Sequence, residues 1–293
     1  MRLKKLLATA ALATMTFSLV ACGGSKGNDK DNNSASSADA KGTITITGST
    51  SVEPIVNAMK TEFEALNPDV KVEYTGNGSS AGIQDTINDV NNIGASSREL
   101  TDEEKNENLK QTVFAYDGIA VAVNPANDVK DLSIEQLQKI YSGEITNWKE
   151  VGGKDEKIYV VSREQSSGTR SAFEELIKLD ETKGLTSSAA VSEGNGPVQL
   201  AVAKNKNAIG YVSFAYIDDT IKQLTIEGVE GNVENVKNGK YALSRPFSFI
   251  VKSDAKNDLA DKFLEFAVSE DGQKCVKDNN GITVADEEAA QQK

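Results

Sequence analysis

The sequence predicts an α/β protein, and three features of the chain support this prediction. Short apolar or alternating runs typical of strands are followed repeatedly by segments in which apolar residues recur at helical spacing. The chain has 293 residues, of which 38% are hydrophobic, so it can bury substantial cores and is long enough for two domains. Strands that alternate with helices over two roughly equal halves indicate two sheets.

The first strand-to-helix unit comprises a strand over residues 43–47 and a helix over residues 52–66. The strand alternates polar and apolar side chains, and the helix carries apolar side chains at helical spacing. Three consecutive hydroxyl residues occupy positions 49–51 between them. Thr50 and Glu53 stand three residues apart, which predicts a capping box at the start of the helix.

Three later units repeat this arrangement of strand, hydroxyl-containing loop and helix. Their strands are predicted over residues 70–74, 92–95 and 158–161. The hydroxyl residues that follow these strands are Ser79 and Ser80, then Ser96 and Ser97, and finally Ser166, Ser167 and Thr169.

The last of these loops, from Ser162 to Ser171, adds the guanidinium group of Arg163 to its hydroxyls. Backbone N–H groups at a helix start, hydroxyls and a guanidinium together favour a small oxyanion. Hydroxyl residues before a helix often serve only as caps, which is the simpler interpretation of any single loop. Loops at the carboxyl ends of strands gather in one crevice, so four such junctions favour an anion site over capping alone.

The N-terminal segment has the features of a bacterial lipoprotein. Residues 1–21 combine a basic start with a short apolar run, which predicts a secretory signal peptide. Leu19-Val20-Ala21-Cys22 resembles a lipobox and predicts lipidation, including palmitate, at Cys22. We therefore expect a protein held by lipid on the extracytoplasmic face of the cell membrane. Residues 22–42 predict a flexible tether, because apart from Cys22 they contain no apolar side chain larger than alanine.

The composition argues against several functional classes. The formal net charge of -12 argues against nucleic acid as a partner. The chain contains no histidine, which excludes a Ser-His-Asp triad and a metal site built from histidines. No P-loop, G-x-S-x-G or calcium-loop motif is present, so we expect neither a cofactor nor a metal. A serine activated by lysine stays open, although no S-x-x-K lies at a strand-to-helix junction.

Four segments together resemble the phosphate-binding proteins (PstS) of phosphate ABC transporters. They occur in the order that the family has, and the likeness covers nearly the whole chain from Thr43. The segments are Gly48 to Pro54 (GSTSVEP), Gly76 to Gly82 (GNGSSAG), Gly94 to Ser97 (GASS) and Arg163 to Thr169 (REQSSGT).

The resemblance implies a two-lobed, type II periplasmic-binding-protein fold of the α/β class, with the ligand cleft between lobes that close by hinge bending. It implies that residues 43–120 and 248–293 form lobe I. Residues 121–247 would then form lobe II.

Carried over position by position, the resemblance implies eight phosphate-binding residues. Thr50 would donate through its hydroxyl, Ser51 would donate through its backbone N–H, and Arg163 would supply the positive charge. The other implied ligands are Ser79, Ser97, Ser167, Gly168 and Thr169.

One position departs from the family pattern. Well-known members have Gly-Ala-Ser-Asp where this chain has GASS over residues 94–97, so Ser97 replaces the aspartate that accepts the proton of hydrogen phosphate. A serine hydroxyl can either accept or donate a hydrogen bond. We expect phosphate to remain the ligand, with selectivity over sulfate softened or moved to another acceptor.

The resemblance implies a receptor that captures inorganic phosphate and delivers it to the permease and ATPase subunits of an ABC transporter, without performing chemistry. Three alternatives stay open. They are a receptor for another tetrahedral oxyanion such as sulfate or molybdate, a serine hydrolase or phosphatase, and a surface protein that serves adhesion or sensing.

Overall fold

The computed structural model describes residues 41–286. The predicted signal peptide, the predicted lipidation site Cys22 and almost all of the predicted tether lie outside this part of the chain. None of the helices between residues 41 and 286 combines the length and the apolar character that a membrane crossing requires.

Strands and helices alternate along the described residues. The strands are β1 (Gly42–Gly48), β2 (Val70–Gly76), β3 (Ile93–Ser96), β4 (Leu109–Val123), β5 (Asp131–Leu132), β6 (Tyr159–Arg163), β7 (Ala190–Ser192), β8 (Ala208–Ser213), β9 (Lys222–Gln223), β10 (Thr225–Ile226), β11 (Ser244–Lys252) and β12 (Ile282–Thr283). The helices are α1 (Glu53–Leu66), α2 (Ser79–Ile87), α3 (Asp102–Lys105), α4 (Ile134–Ser142), α5 (Gly168–Leu176), α6 (Asn195–Lys204), α7 (Val233–Lys237), α8 (Asp258–Val268) and α9 (Glu270–Asp278).

The main sheet is continuous, whereas the sequence predicted two separate sheets. Its strand order is β2-β1-β3-β11-β4-β8-β6-β7, with β9 and β12 also pairing with β4. The strands β1, β2 and β3 are parallel, as are β6, β7 and β8, while β4 and β11 run antiparallel between these groups. The sheet is continuous because β4 has 15 residues, enough to pair with β11 along one part and with β8 along another.

The helix α1 begins without the capping box that the sequence predicted. Its N-cap is Val52, and no side chain caps the first turn, which contains Pro54. The hydroxyl of Thr50 is engaged elsewhere, because it accepts hydrogen bonds from Arg163 and Asn195. Long-range hydrogen bonds have therefore replaced the local cap.

Two large hydrophobic cores lie along this sheet, beside a small cluster of Ile83, Leu100 and Ile250. The first core includes Ile44, Phe114 and Phe263, and the ring centroids of Phe114 and Phe249 stack 4.2 Å apart within it. The first core takes its buried residues from positions 44–115 and 247–276. We refer to the part of the protein around it as the first lobe.

The second core draws on the segment between those two stretches. It is formed by buried side chains from positions 119–243, together with Ile282. The rings of Phe173 and Tyr211 stack at 4.0 Å inside it. We refer to this part as the second lobe. The exact boundaries of the two lobes stay predictions.

Only β4 and β11 carry the main sheet from one lobe to the other in the described residues. Phe114 and Ala115 of β4 belong to the first core, and Ile119 to Val123 belong to the second. Between them, Asp117 of β4 lies directly opposite Arg245 of β11 in the antiparallel register. A buried ion pair therefore marks the place where the chain passes between the lobes.

We expect Phe263→Ala to lower the free energy of unfolding by about 3 to 5 kcal/mol, because it removes a fully buried ring and leaves a cavity. Phe263 contacts the rings of Phe63 and Phe249, whose centroids lie 5.2 and 5.6 Å away. Urea unfolding followed by circular dichroism measures the change.

Val268→Ala is the matched control on the same helix, because that side chain is 44% exposed. Its effect is expected to stay within about 0.5 kcal/mol. Equal losses in the two variants would contradict the assignment of Phe263 to the core.

Candidate anion-binding site

Parallel pairing brings the ends of the first three strands to one edge of the first lobe. Gly48 at the end of β1 lies opposite Gly76 of β2 and opposite Ala95 of β3. The loops that follow these strands carry hydroxyl residues 49–51, Ser79 and Ser97 respectively. Because the strands end in register, these side chains emerge close together.

The hydroxyl groups at this edge form short contacts with one another. The Oγ atoms of Ser49 and Ser97 are 2.8 Å apart, and those of Ser79 and Ser97 are 3.3 Å apart. The second lobe contributes as well, because Oγ1 of Thr169 lies 2.7 Å from Oγ of Ser51. The structure thus brings hydroxyls from four strand-to-helix loops into one buried cluster.

Arg163 supplies a buried positive charge to this cluster. The residue is 1% exposed, and its guanidinium donates from Nε and Nη2 to the carboxylate of Glu164, at 2.9 and 2.7 Å. Nη2 also donates to Oγ1 of Thr50 in the other lobe at 3.2 Å. No side chain or carbonyl among residues 41–286 accepts from the third nitrogen, Nη1, which is buried.

The start of α5 completes the contribution of the second lobe. Ser167 is the N-cap, and its side chain accepts from the N–H of Arg170 at 3.2 Å, so it does cap the helix. Gly168 follows with no room for a side chain, since an added Cβ would lie 2.1 Å from Oγ of Ser79 and 2.7 Å from Oγ of Ser97. The first-turn N–H groups of a helix have no intrahelical acceptor, which leaves those of Gly168 and Thr169 available.

Asn195, at the start of α6, was not predicted as a site residue but links both lobes. Its side-chain nitrogen donates to Oγ1 of Thr50 at 3.2 Å and to Oγ of Ser51 at 3.0 Å. The resemblance had assigned the backbone N–H of Ser51 to the ligand, whereas this N–H donates to Oγ of Ser49 at 3.2 Å. Ser51 meets the second lobe through its hydroxyl instead.

The buried ion pair that lies beneath Ser97 was likewise not predicted. Arg245 donates to Asp117 at 2.8 Å, and its Nη1 lies 3.3 Å from Oγ of Ser97. Asp117 in turn accepts from Oγ of Ser213 at 2.9 Å. The sequence did contain a signal, because Asp117 lies within the mainly apolar run 113–123 and Arg245 within the mainly apolar run 243–251.

The pKa shifts at the site follow from burial and ion pairing. Burial alone would raise the pKa of Glu164, but the hydrogen bonds and charge of Arg163 hold it below its ordinary value. Burial raises the pKa of Asp117, and the nearby charge of Arg245 opposes that rise. Burial also raises the pKa of Tyr216, which donates to the carbonyl of Thr50, to about 12.

Two further arginines lie near these loops, and each forms an ion pair of its own; Arg170 also donates from Nη1 to the backbone carbonyl of Arg163 at 3.1 Å. Arg98 pairs with Glu104 through both terminal nitrogens, at 2.7 and 2.8 Å, and also donates to Ser80. Arg170 pairs with Glu174 one turn along α5. Both arrangements agree with the interpretation that Arg163, rather than its neighbours, serves the cluster.

The cluster borders an open groove of about 450 Å³, whose lining includes Thr50, Glu164 and Gly194. Thr50 is the residue that the groove shares with the hydroxyl cluster, and the carboxylates of Glu164 and Glu193 lie along it. Residues 41–286 contain no group of three or more acidic, cysteine or histidine side chains placed to hold a metal ion.

Comparison with known proteins gives a consistent result across the chain. The family model of the PBP superfamily domain matches residues 33–271. The phosphate-binding protein PstS of Bacillus subtilis (strain 168) is 34% identical over 295 aligned residues, which cover 98% of this chain and 96% of that protein. PstS of Borreliella burgdorferi is 31% identical over 82% of this chain and 90% of its own length.

Solved structures show the same relationship in three dimensions. A putative phosphate ABC transporter substrate-binding protein from Clostridium perfringens, solved with bound phosphate, is 44% identical with a TM-score of 0.80. An ABC-type phosphate transport receptor from Vibrio cholerae is 37% identical with a TM-score of 0.71. Each comparison covers 83% of this chain and 100% of the other.

The fold is thus the two-lobed α/β fold of periplasmic binding proteins, with hydroxyl-bearing loops of both lobes meeting at one cleft. The superfamily match spans most of the chain, and the Bacillus subtilis relative aligns almost from end to end. On these grounds the chain belongs to the PstS family of phosphate-binding proteins.

Proposed function

We propose that this protein binds inorganic phosphate between its two lobes and delivers it to the permease of an ATPase-driven ABC transporter. Support comes from relatives that carry the name phosphate-binding protein PstS and from a 44% identical structure with bound phosphate. The buried hydroxyl cluster of this chain supplies a site of matching chemistry.

The observation that carries the proposal is the buried Nη1 of Arg163, for which residues 41–286 provide no acceptor. A buried N–H donor without a partner is strongly unfavourable, more so when the group is charged. A phosphate oxygen at this position would satisfy the donor and neutralise the charge. Glu164 covers the opposite edge of the guanidinium and so fixes the direction in which Nη1 points.

Two of the hydroxyl groups, those of Thr50 and Ser167, accept hydrogen bonds and so keep their own protons available. Oγ1 of Thr50 accepts from both Arg163 and Asn195, which leaves its own proton to donate. Ser167 likewise accepts from the N–H of Arg170. We assign Thr50, Ser79, Ser97, Arg163 and Thr169 to phosphate, together with Ser51, Ser167 and Gly168.

The lobes are proposed to be residues 43–120 with 248–293 and residues 121–247. They would open and close about β4 and β11, the two long strands that carry the main sheet across. Residues 1–21 would be the signal peptide and residues 22–42 the tether. Lipid on Cys22 would hold the mature protein on the extracytoplasmic face of the cell membrane.

We further propose that the protein performs no chemistry on its ligand. The chain has no histidine that could activate a hydroxyl. The two buried or half-buried carboxylates that bond to the arginines of the site, Glu164 and Asp117, are each held in an ion pair. Neither of these two carboxylates is therefore free to take a proton from a hydroxyl.

We expect Arg163→Met to weaken phosphate binding at least a hundredfold, or about 3 kcal/mol, because the variant keeps much of the side-chain volume but removes the charge and the donors. Isothermal titration calorimetry of the full-length protein with inorganic phosphate measures the change.

Arg170→Met removes the same charge from the same loop, at a side chain that pairs with Glu174. It is expected to change the affinity less than about fivefold, because this ion pair is partly open to solvent, with side chains 23% and 29% exposed, and such pairs contribute little. Equal effects of the two variants would contradict the assigned role of Arg163.

We expect Gly168→Ala to abolish measurable phosphate binding at micromolar protein concentration while leaving the fold intact. The added methyl group would occupy the space beside Oγ of Ser79, 2.1 Å away, and so keep the lobes apart. Calorimetry and thermal unfolding together test this expectation.

The matched control is Gly196→Ala, where an added Cβ meets nothing within 4 Å. This variant should bind phosphate as the natural protein does. Undiminished binding by Gly168→Ala would show that the lobes do not need to meet at this point.

A further inference from the structure

The hydrogen bonds around Ser97 restrict what its hydroxyl can do. Oγ of Ser97 accepts from Oγ of Ser49 at 2.8 Å and from Nη1 of Arg245 at 3.3 Å. A guanidinium can only donate, and a hydroxyl oxygen has two lone pairs to accept with. With both lone pairs in use, Ser97 retains only its proton for a further partner.

Contact with Ser79 does not free a lone pair on the hydroxyl of Ser97. Its Oγ lies 3.3 Å from that of Ser97, and it already accepts from the backbone N–H of Ser97 at 3.1 Å. Any bond between the two hydroxyls is therefore long, and it would also use the proton of Ser97. Towards the ligand, the hydroxyl of Ser97 can therefore only donate a hydrogen bond.

Arg245 is held beside Ser97 by contacts on several sides, and its Nη1 also lies 3.4 Å from the backbone carbonyl oxygen of Ser97. Its Nε and Nη2 donate to Oδ2 of Asp117, at 3.3 and 2.8 Å, and its carbon Cζ lies 5.4 Å from the ring centre of Phe247. Asp117 is fixed in turn, since its other oxygen accepts from Oγ of Ser213 and the N–H of Phe214. Both charged side chains are 2% exposed.

We propose that Arg245 fixes Ser97 as a hydrogen-bond donor, so that the site selects tetrahedral oxyanions by their double negative charge and admits sulfate as well as hydrogen phosphate. This inference rests on the proposed function. Arg245 acts as a positioning residue, because it reaches the ligand only through Ser97. A carboxylate at position 97 would have the opposite effect, since it would require a proton on the ligand.

Glu164, Tyr211 and Tyr216 are expected to keep one charge state near neutral pH. The charged and titratable groups that face the cluster are Glu53, Tyr74, Asp117, Arg163, Glu164, Tyr211, Tyr216 and Arg245. Burial raises the pKa of Tyr211 and of Tyr216 to about 12, and ion pairing lowers that of Glu164. Asp117, whose pKa burial raises, is the group for which the experiment needs a control.

The test is calorimetric titration of the full-length protein with phosphate and with sulfate, from about pH 5.5 to about pH 8.5, a range that spans the conversion of phosphate monoanion to dianion. As the pH is lowered into the range where the monoanion predominates, we expect the phosphate affinity to fall by about tenfold per pH unit, because only the dianion is selected. Sulfate keeps its double charge throughout and is expected to bind equally well at every pH. A sulfate affinity that changes with pH would show that a protein group such as Asp117 titrates, which overturns the inference.

Competition between the two anions provides the second readout. At the upper end of the pH range, sulfate is expected to displace phosphate with an affinity within about a hundredfold of that of phosphate. Two outcomes would overturn the inference but leave the proposed function standing. One is a phosphate affinity that does not change with pH, and the other is phosphate that stays bound in the presence of about a thousandfold excess of sulfate. Absence of phosphate binding at every pH would overturn the proposed function itself.

Two substitutions at position 97 separate the donor role from simple packing. Ser97→Asp is expected to weaken sulfate binding at least tenfold more than phosphate binding, because the new carboxylate accepts a ligand proton that sulfate lacks. Ser97→Ala removes the donor for both anions and should weaken both by the same factor. Equal effects of Ser97→Asp on the two anions would contradict the proposal.

Changes at Arg245 test the positioning role directly. Arg245→Lys keeps a charged donor and should preserve both the sulfate-to-phosphate ratio and the pH profile. The double variant Asp117→Asn with Arg245→Gln removes the pair without leaving one buried charge alone. It should flatten the pH dependence of phosphate binding. The side-chain amide introduced at position 245 can accept the proton of Ser97, and a lone pair of the Ser97 hydroxyl is then free to accept a hydrogen bond from protonated phosphate. An unaltered profile in a double variant with native thermal unfolding would overturn the role of Arg245.

Discussion

The burial of positive charge at the meeting point of two lobes is the constraint on which this structure depends. Arg163 is almost completely removed from water, and a guanidinium in such a place requires partners on every side. Glu164 covers one edge, and Thr50 covers part of another from across the cleft. The loop itself supplies one such partner, because the carboxylate that neutralises Arg163 belongs to the next residue in the chain, Glu164.

The two lobes meet at this cleft through polar contacts between small side chains. The hydroxyls of Ser51 and Thr169, the amide of Asn195 and the bare backbone of Gly168 make the contact instead of an apolar surface. Each neutral hydrogen bond adds only about 0.5 to 1.5 kcal/mol net, since water can replace it. The contacts that join the lobes at this cleft are therefore individually weak, whereas each lobe has its own aromatic core.

A second buried charge lies where the chain crosses between the lobes. Arg245 and Asp117 are neighbours across β11 and β4, and hydrogen bonds connect them to Ser97 on one side and to Ser213 on the other. The backbone N–H of Ser213 donates to Asn195, which reaches back to Ser51. The strands that join the lobes are thus tied by hydrogen bonds to the residues that line the cleft.

The sequence by itself determined the α/β class, the strand-to-helix loops and the cluster of their hydroxyls, because these depend on local periodicity and on the rule that parallel strands end together. It also identified Arg163, since that residue lies within such a loop. The tertiary structure alone decided the continuity of the sheet through β4 and the loss of the predicted cap at Thr50. It also decided that Ser97 faces Arg245, a residue 148 positions away. Such contacts arise from the pairing of strands that are distant in the chain. Local sequence patterns therefore do not predict which buried charged residue will contact which hydroxyl.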